Sequence, residues 1–138
     1  MKSYILWGCF FGATAVIFGA LGAHALKQHL NAEQLLSFET GVRYQMYHAL
    51  VLLLIGFQNQ HSKSHSKTLL IFLVTGIFLF SWSIYLLSTQ SILDVNFSFL
   101  GPITPIGGVL LIVSWIYLAV LFMKRKTGKS DNLNTQRN

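Results

Sequence analysis

In a chain of 138 residues, 53% are apolar and only 10% charged, with a formal net charge of +6. Soluble domains carry about 25% charged residues, so this balance excludes an ordinary soluble domain and points to a single-domain membrane protein. The basic excess sits at the C-terminus, in Lys124, Arg125, Lys126, Lys129 and Arg137, a membrane-flanking signal rather than a nucleic-acid surface.

Tyr4 to Leu26 holds no acid and no Lys or Arg, and its length of about 23 residues crosses a bilayer with some tilt. We expect the first span at 4–26. Gly8, Gly12, Ala15, Gly19, Gly22 and Ala23 recur at steps of three and four, a small-residue stripe on which another backbone can pack closely. His24 lies off that stripe. Cys9, the single cysteine, excludes an internal disulfide and a cysteine-based metal cluster and reads as a small packing residue. Ala23-His24-Ala25 resembles a cleavage pattern, but the long run before it suits an uncleaved helix.

Lys27 to Gln34 is a polar break. Asn31 followed by Gln34 is a variant of the capping box, which starts a helix near Ala32. The purely apolar stretch from Ala49 to Phe57 cannot span alone, so the second span must reach back to about Phe38, over 38–57. That places Glu39 and Arg43 at the bilayer edge, spaced for an ion pair along the helix. Gln45 and His48 fall deeper, and Gly41, Tyr44, Gln45 and His48 share one broad face. The loop that follows contains His61 and His65 at helical spacing, but no third ligand accompanies them and no metal site is expected.

The third span is expected over 68–88, with Ser81, Tyr85 and Ser88 on one face. Pro102, Pro105, Gly107 and Gly108 open a fourth span over 102–123, the prolines suited to a helix start and the glycines to close approach. The four-helix membrane domain then covers 1–126, and residues 127–138 form a disordered basic tail. Lys2, Lys63, Lys67 and the tail share one side against Lys27 and Arg43 on the other, so both termini are expected in the cytoplasm. The fold class is an all-α integral membrane protein, a four-transmembrane-helix bundle.

With that topology, polar or irregular parts of all four spans meet at the outward end. We expect a polar pocket there, built from His24, Glu39, Arg43, Tyr44, Gln45, His48, Ser81 and Tyr85, with Gly107 and Gly108 joining the stripe residues as packing positions. No activated nucleophile, metal set or phosphate loop accompanies it, and no cofactor is expected.

Gly19-Ala20-Leu21-Gly22-Ala23-His24-Ala25-Leu26 and Phe38-Glu39-Thr40-Gly41-Val42-Arg43-Tyr44-Gln45-Met46-Tyr47-His48-Ala49-Leu50 closely resemble the bacterial domain-of-unknown-function family 423, itself similar to the eukaryotic transmembrane protein 256. Leu79-Phe80-Ser81-Trp82-Ser83-Ile84-Tyr85 and Pro102-Ile103-Thr104-Pro105-Ile106-Gly107-Gly108 also match, so the resemblance covers about residues 4–122. Trp82 stands where a small residue is expected. The resemblance implies a small four-helix protein of the bacterial inner membrane with no assigned activity. From the residues we expect a non-enzymatic binding or assembly component, its partners the lipid bilayer and a homo-oligomer or larger membrane complex. A transporter or channel for a small solute or protons is the alternative, ahead of an enzyme acting on a lipid or quinone.

Overall fold

The structure, a computed structural model, describes residues 2–58 and 66–135, with side chains described as far as 123. The described residues form no strand. They form four main helices: α1 (Lys2–Ala23), α2 (Ala32–Gln58), α3 (Lys67–Leu93) and α4 (Ile103–Thr135), with short 3₁₀ turns at Leu26–Gln28 and Ser98–Leu100. α1, α3 and α4 contain stretches long and apolar enough to cross a membrane. α2 is long enough, at 27 residues, but its first half carries the polar residues from Glu33 to His48.

Local chemistry sets the helix ends. At the start of α2, Asn31 Oδ1 accepts from the Gln34 amide at 2.8 Å and the Asn31 amide donates to Gln34 Oε1 at 3.1 Å, the reciprocal cap read from the sequence. Ser66 caps α3 by accepting from the Leu69 amide at 3.2 Å. Asp94 ends α3 at φ 51°, a left-handed position that a short polar side chain tolerates. Pro105 lies in the first turn of α4, where no intrahelical donor is needed.

Each helix runs antiparallel to the next. Along α1 and α2, Gly8 lies against Leu53, Gly12 against Ala49, Gly19 against Val42 and Gly22 against Phe38, while Gly56 meets Ile5. Along α3 and α4, Gly76 meets Leu111, Gly107 meets Phe80 and Ser83 meets Thr104. α2 touches α3 through Gly41, which abuts Tyr85 and Ile84. The main apolar core, built on Phe11, Ala49, Leu52, Leu73, Ile77 and Leu111, draws on all four helices. Ala15 is buried with it, whereas Ala23 is exposed.

Midway along α3, Phe78–Trp82 form a π-helical turn. It faces the start of α4 at a close backbone approach: a side chain at Gly107 would run into the Leu79–Phe80 backbone. A π turn loosens the regular ladder. Ser83 Oγ compensates, lying 2.6 Å from the Leu79 carbonyl and 2.9 Å from that of Phe80, and bonding Thr104 Oγ1 at 2.7 Å.

α3 continues as helix past Ser88 to Leu93, and α4 continues as helix to Thr135. His61 and His65 lie outside the described residues.

Candidate functional site

Gln45 stands at the midpoint of α2 and is fully buried. Its Nε2 donates to the Phe11 carbonyl at 2.9 Å and to Thr14 Oγ1 at 2.7 Å, and its Oε1 accepts from the Tyr85 hydroxyl at 3.1 Å. Thr14 passes its own proton to the Phe10 carbonyl at 2.8 Å. The carbonyl of Phe11 can only accept, so it fixes which end of the Gln45 amide faces α1. The network therefore ties α1, α2 and α3 together and uses both amide protons. Buried polar groups satisfied in this way hold a core in one arrangement.

One turn further along α2, His48 is also buried. Its Nδ1 lies 2.7 Å from the Tyr44 carbonyl, and its Nε2 lies 3.2 Å from Trp115 Nε1. A carbonyl only accepts and an indole only donates. The ring is thereby fixed as the neutral tautomer with the proton on Nδ1, and both nitrogens are occupied. Tyr44 stacks on His48 and contacts Phe80. Trp115 carried no signal in the sequence, since it lies 67 residues from its partner.

Among the described residues, Ser81 Oγ and Trp82 Nε1 are buried without a hydrogen-bond partner. Both belong to the π turn. Trp82 packs edge-on against Phe18 and tilted against Phe78, so the indole fills space in an aromatic cluster at the cost of its donor.

The sequence-derived pocket thus separates into different places. Gln45 and Tyr85 are bonded to each other, His48 is bonded to Tyr44 and Trp115, and Ser81 lies behind Gly41 on the same buried seam. His24 is exposed at the end of α1 and does not join them. Glu39 and Arg43 are exposed and do not form the expected ion pair. Arg43 Nε instead donates to the Glu39 carbonyl and its Nη2 to Thr40 Oγ1, both at 3.3 Å. These two charges line a cleft of about 250 Å³ with Gly19, Phe38 and Val42.

A larger concavity, about 590 Å³, opens at the end of the helices where α2 starts, α3 finishes and α4 starts. Asn31, Glu33, Gln34 and Ser37 line it from α2, Ile84, Leu87 and Ser88 from α3, and Gly101, Thr104 and Pro105 from the start of α4. Gln34 reaches across to Ser91 at 3.2 Å and ties α2 to α3 beside it. The convergence of helix ends pointed to this region. Ser88 and the Pro-Gly start of the fourth span belonged to that convergence, whereas Glu33 and Ser37 carried no signal of their own. Among the described residues no group of three His, Cys, Asp or Glu is placed to hold a metal ion.

The model of the family described as "Protein of unknown function (DUF423)" matches residues 18–108. The chain is 42% identical over 126 residues to the UPF0382 membrane protein YwdK of Bacillus subtilis, an alignment covering 90% of this chain and 98% of that protein. It is 40% identical to the UPF0382 membrane protein SSP2132 of Staphylococcus saprophyticus, over 87% of this chain and 96% of the relative. A UPF0382 membrane protein of Haemophilus influenzae is 32% identical, over 91% and 98%. No solved structure matches.

Proposed function

The chain belongs to the DUF423 family of membrane proteins, and from that premise we propose that it is a non-enzymatic, four-span bundle that binds a partner through its outward-facing groove. The register supports a spanning role for α2. From Phe38 beside Gly22 to Gly56 beside Ile5 it accompanies α1 over nearly the whole length of that helix. Its interior polar groups bond to neighbouring helices, the condition for polar residues inside a bilayer. Lys2 and Lys67 at one end, together with the basic tail, favour cytoplasmic termini. The groove then faces the cell exterior or periplasm, and the protein resides in the bacterial inner membrane.

The observation that carries the binding role is the groove, built from three helix ends, with Glu33 and Ser37 exposed on it. A transport role would ask for a wet path past mid-depth. Gln45, Thr14 and Tyr85 already use their hydrogen bonds on one another there. The test is affinity isolation from native membranes at native expression. A co-isolated partner is expected, retained by the wild type and by a Leu54→Ala variant on the exposed face of α2. It should be lost when Ser37→Trp or Ser88→Trp fills the groove. Isolation of a lone monomer, or a partner indifferent to the groove variants, would contradict this reading.

A further inference from the structure

The cleft between α1 and α2 carries two charges that ignore each other. Glu39 and Arg43 stand four residues apart in the order that favours a pair, yet Arg43 bonds the Glu39 carbonyl and the Thr40 hydroxyl, and the Glu39 carboxylate remains exposed. With Gly19, Phe38 and Val42 they enclose about 250 Å³. Gly19 keeps α1 low beside the charges, while Phe38 and Val42 supply apolar walls.

The depth of the cleft follows from the helix register. Phe38 lies opposite Gly22 and Val42 opposite Gly19, so Glu39 stands near the end of α1 and the Arg43 backbone about one turn deeper. The Arg43 side chain runs back toward the start of α2, as helical side chains do, and its guanidinium reaches the level of Glu39 and Thr40. This is the geometry of a long cationic side chain that keeps its stem in hydrocarbon and its charge at the interface. Phospholipid phosphates occupy that layer.

We propose that this cleft holds the zwitterionic headgroup of a phospholipid of the phosphatidylethanolamine type. Arg43 takes the phosphate: its guanidinium has five N–H donors, of which two nitrogens are engaged internally, leaving donors directed outward. Glu39 takes the ammonium, and the acyl chains run down the apolar groove beside Val42. The Arg43 guanidinium reaches the level of Glu39, so one headgroup at that level meets both charges. An anionic lipid gives Arg43 the same phosphate but brings no cation for Glu39, so a net-neutral site favours a net-neutral ligand. This inference rests on the placement of α2 as a span, and it concerns a site separate from the groove at the helix ends.

The test is native mass spectrometry of the full chain released from micelles containing equal amounts of phosphatidylethanolamine and phosphatidylglycerol. The wild type is expected to retain the former over the latter by about fivefold, the scale of one partly screened ion pair. Arg43→Gln should lose retention of both lipids. Glu39→Gln should keep lipid but bring the ratio near one. Both residues are exposed, so thermal melts of the variants should match the wild type, which separates loss of binding from loss of fold. Equal retention of the two lipids by the wild type, or a preference unchanged in both variants, would overturn the proposal. So would a dimer whose interface covers the cleft without lipid, or displacement of the lipid by an equal concentration of free phosphoethanolamine. Topology is read separately, by labelling of a Ser37→Cys variant from outside. Correct labelling without lipid preference sinks the lipid inference alone, and lipid preference without external labelling sinks the topology alone.

Discussion

The middle of the molecule and the end where α2 and α4 start are both polar, but they spend their polarity differently. In the middle, Gln45 is bonded to Thr14 and Tyr85, and His48 separately to Trp115 and the Tyr44 carbonyl, with the Gln45 amide and both His48 nitrogens occupied. At the end, Glu33 and Ser37 stand exposed on an open groove, and Glu39 and Arg43 flank a cleft without pairing with each other. Polarity alone therefore does not mark a site in this fold. What separates a recognition surface from a structural clamp is whether the groups have capacity left for a partner.

The largest effect expected from breaking this contrast lies at the clamp between the π turn and α4. Gly107→Val should destabilise the protein by about 3 kcal/mol or more, because the added atoms meet the Phe80 backbone rather than a movable side chain. Thermal unfolding in detergent checks this, with Gly108→Ala, whose neighbour is the Phe80 ring at 3.6 Å, as the milder companion. Next comes the polar seam. Gln45→Leu strands the Tyr85 hydroxyl in the core and should cost about 1–2 kcal/mol. Adding Tyr85→Phe should recover part of that loss, a coupling visible in a double-mutant cycle. Trp115→Phe leaves His48 Nε2 without its donor. A loss of about 1 kcal/mol is expected, together with exchange of His48 between tautomers in nitrogen NMR spectra. The smallest effect belongs to the groove, where Ser37→Ala, at an exposed position, should change stability by no more than about 0.5 kcal/mol while weakening partner retention.

Much of this architecture was legible because it is local. The Asn31–Gln34 cap lies within one turn, and the stripe of Gly8, Gly12, Gly19 and Gly22 announces itself by spacing. The phase of α2 was legible too: Gly41, Gln45 and His48 are buried, and Glu39, Arg43 and Tyr47 are exposed, as a regular helix requires. Tyr44 is the exception, exposed beside a buried histidine. What could not be read was which polar groups would be consumed. Gln45 finds its α1 acceptor 34 residues away and His48 its donor 67 residues away, distances over which spacing carries no information. The π turn was equally hidden: it lies opposite Gly107, a residue distant in sequence from Phe78–Trp82. Of the residues expected in one pocket, Gln45, Tyr85 and His48 are bonded to neighbouring helices, whereas His24, Glu39 and Arg43 stand exposed.

The contrast can be measured directly with a membrane-impermeant thiol reagent applied to intact spheroplasts, in a Cys9→Ser background that removes the single native thiol. Ser37→Cys, at the groove, and Ser81→Cys, fully buried at mid-depth, are compared under identical conditions. The account predicts rapid labelling at 37 from outside the cell and none at 81 until the protein is unfolded. Labelling at 81 in the folded protein would mean that water reaches the middle of the helices, and the division between a sealed centre and a receptive outer end would be wrong.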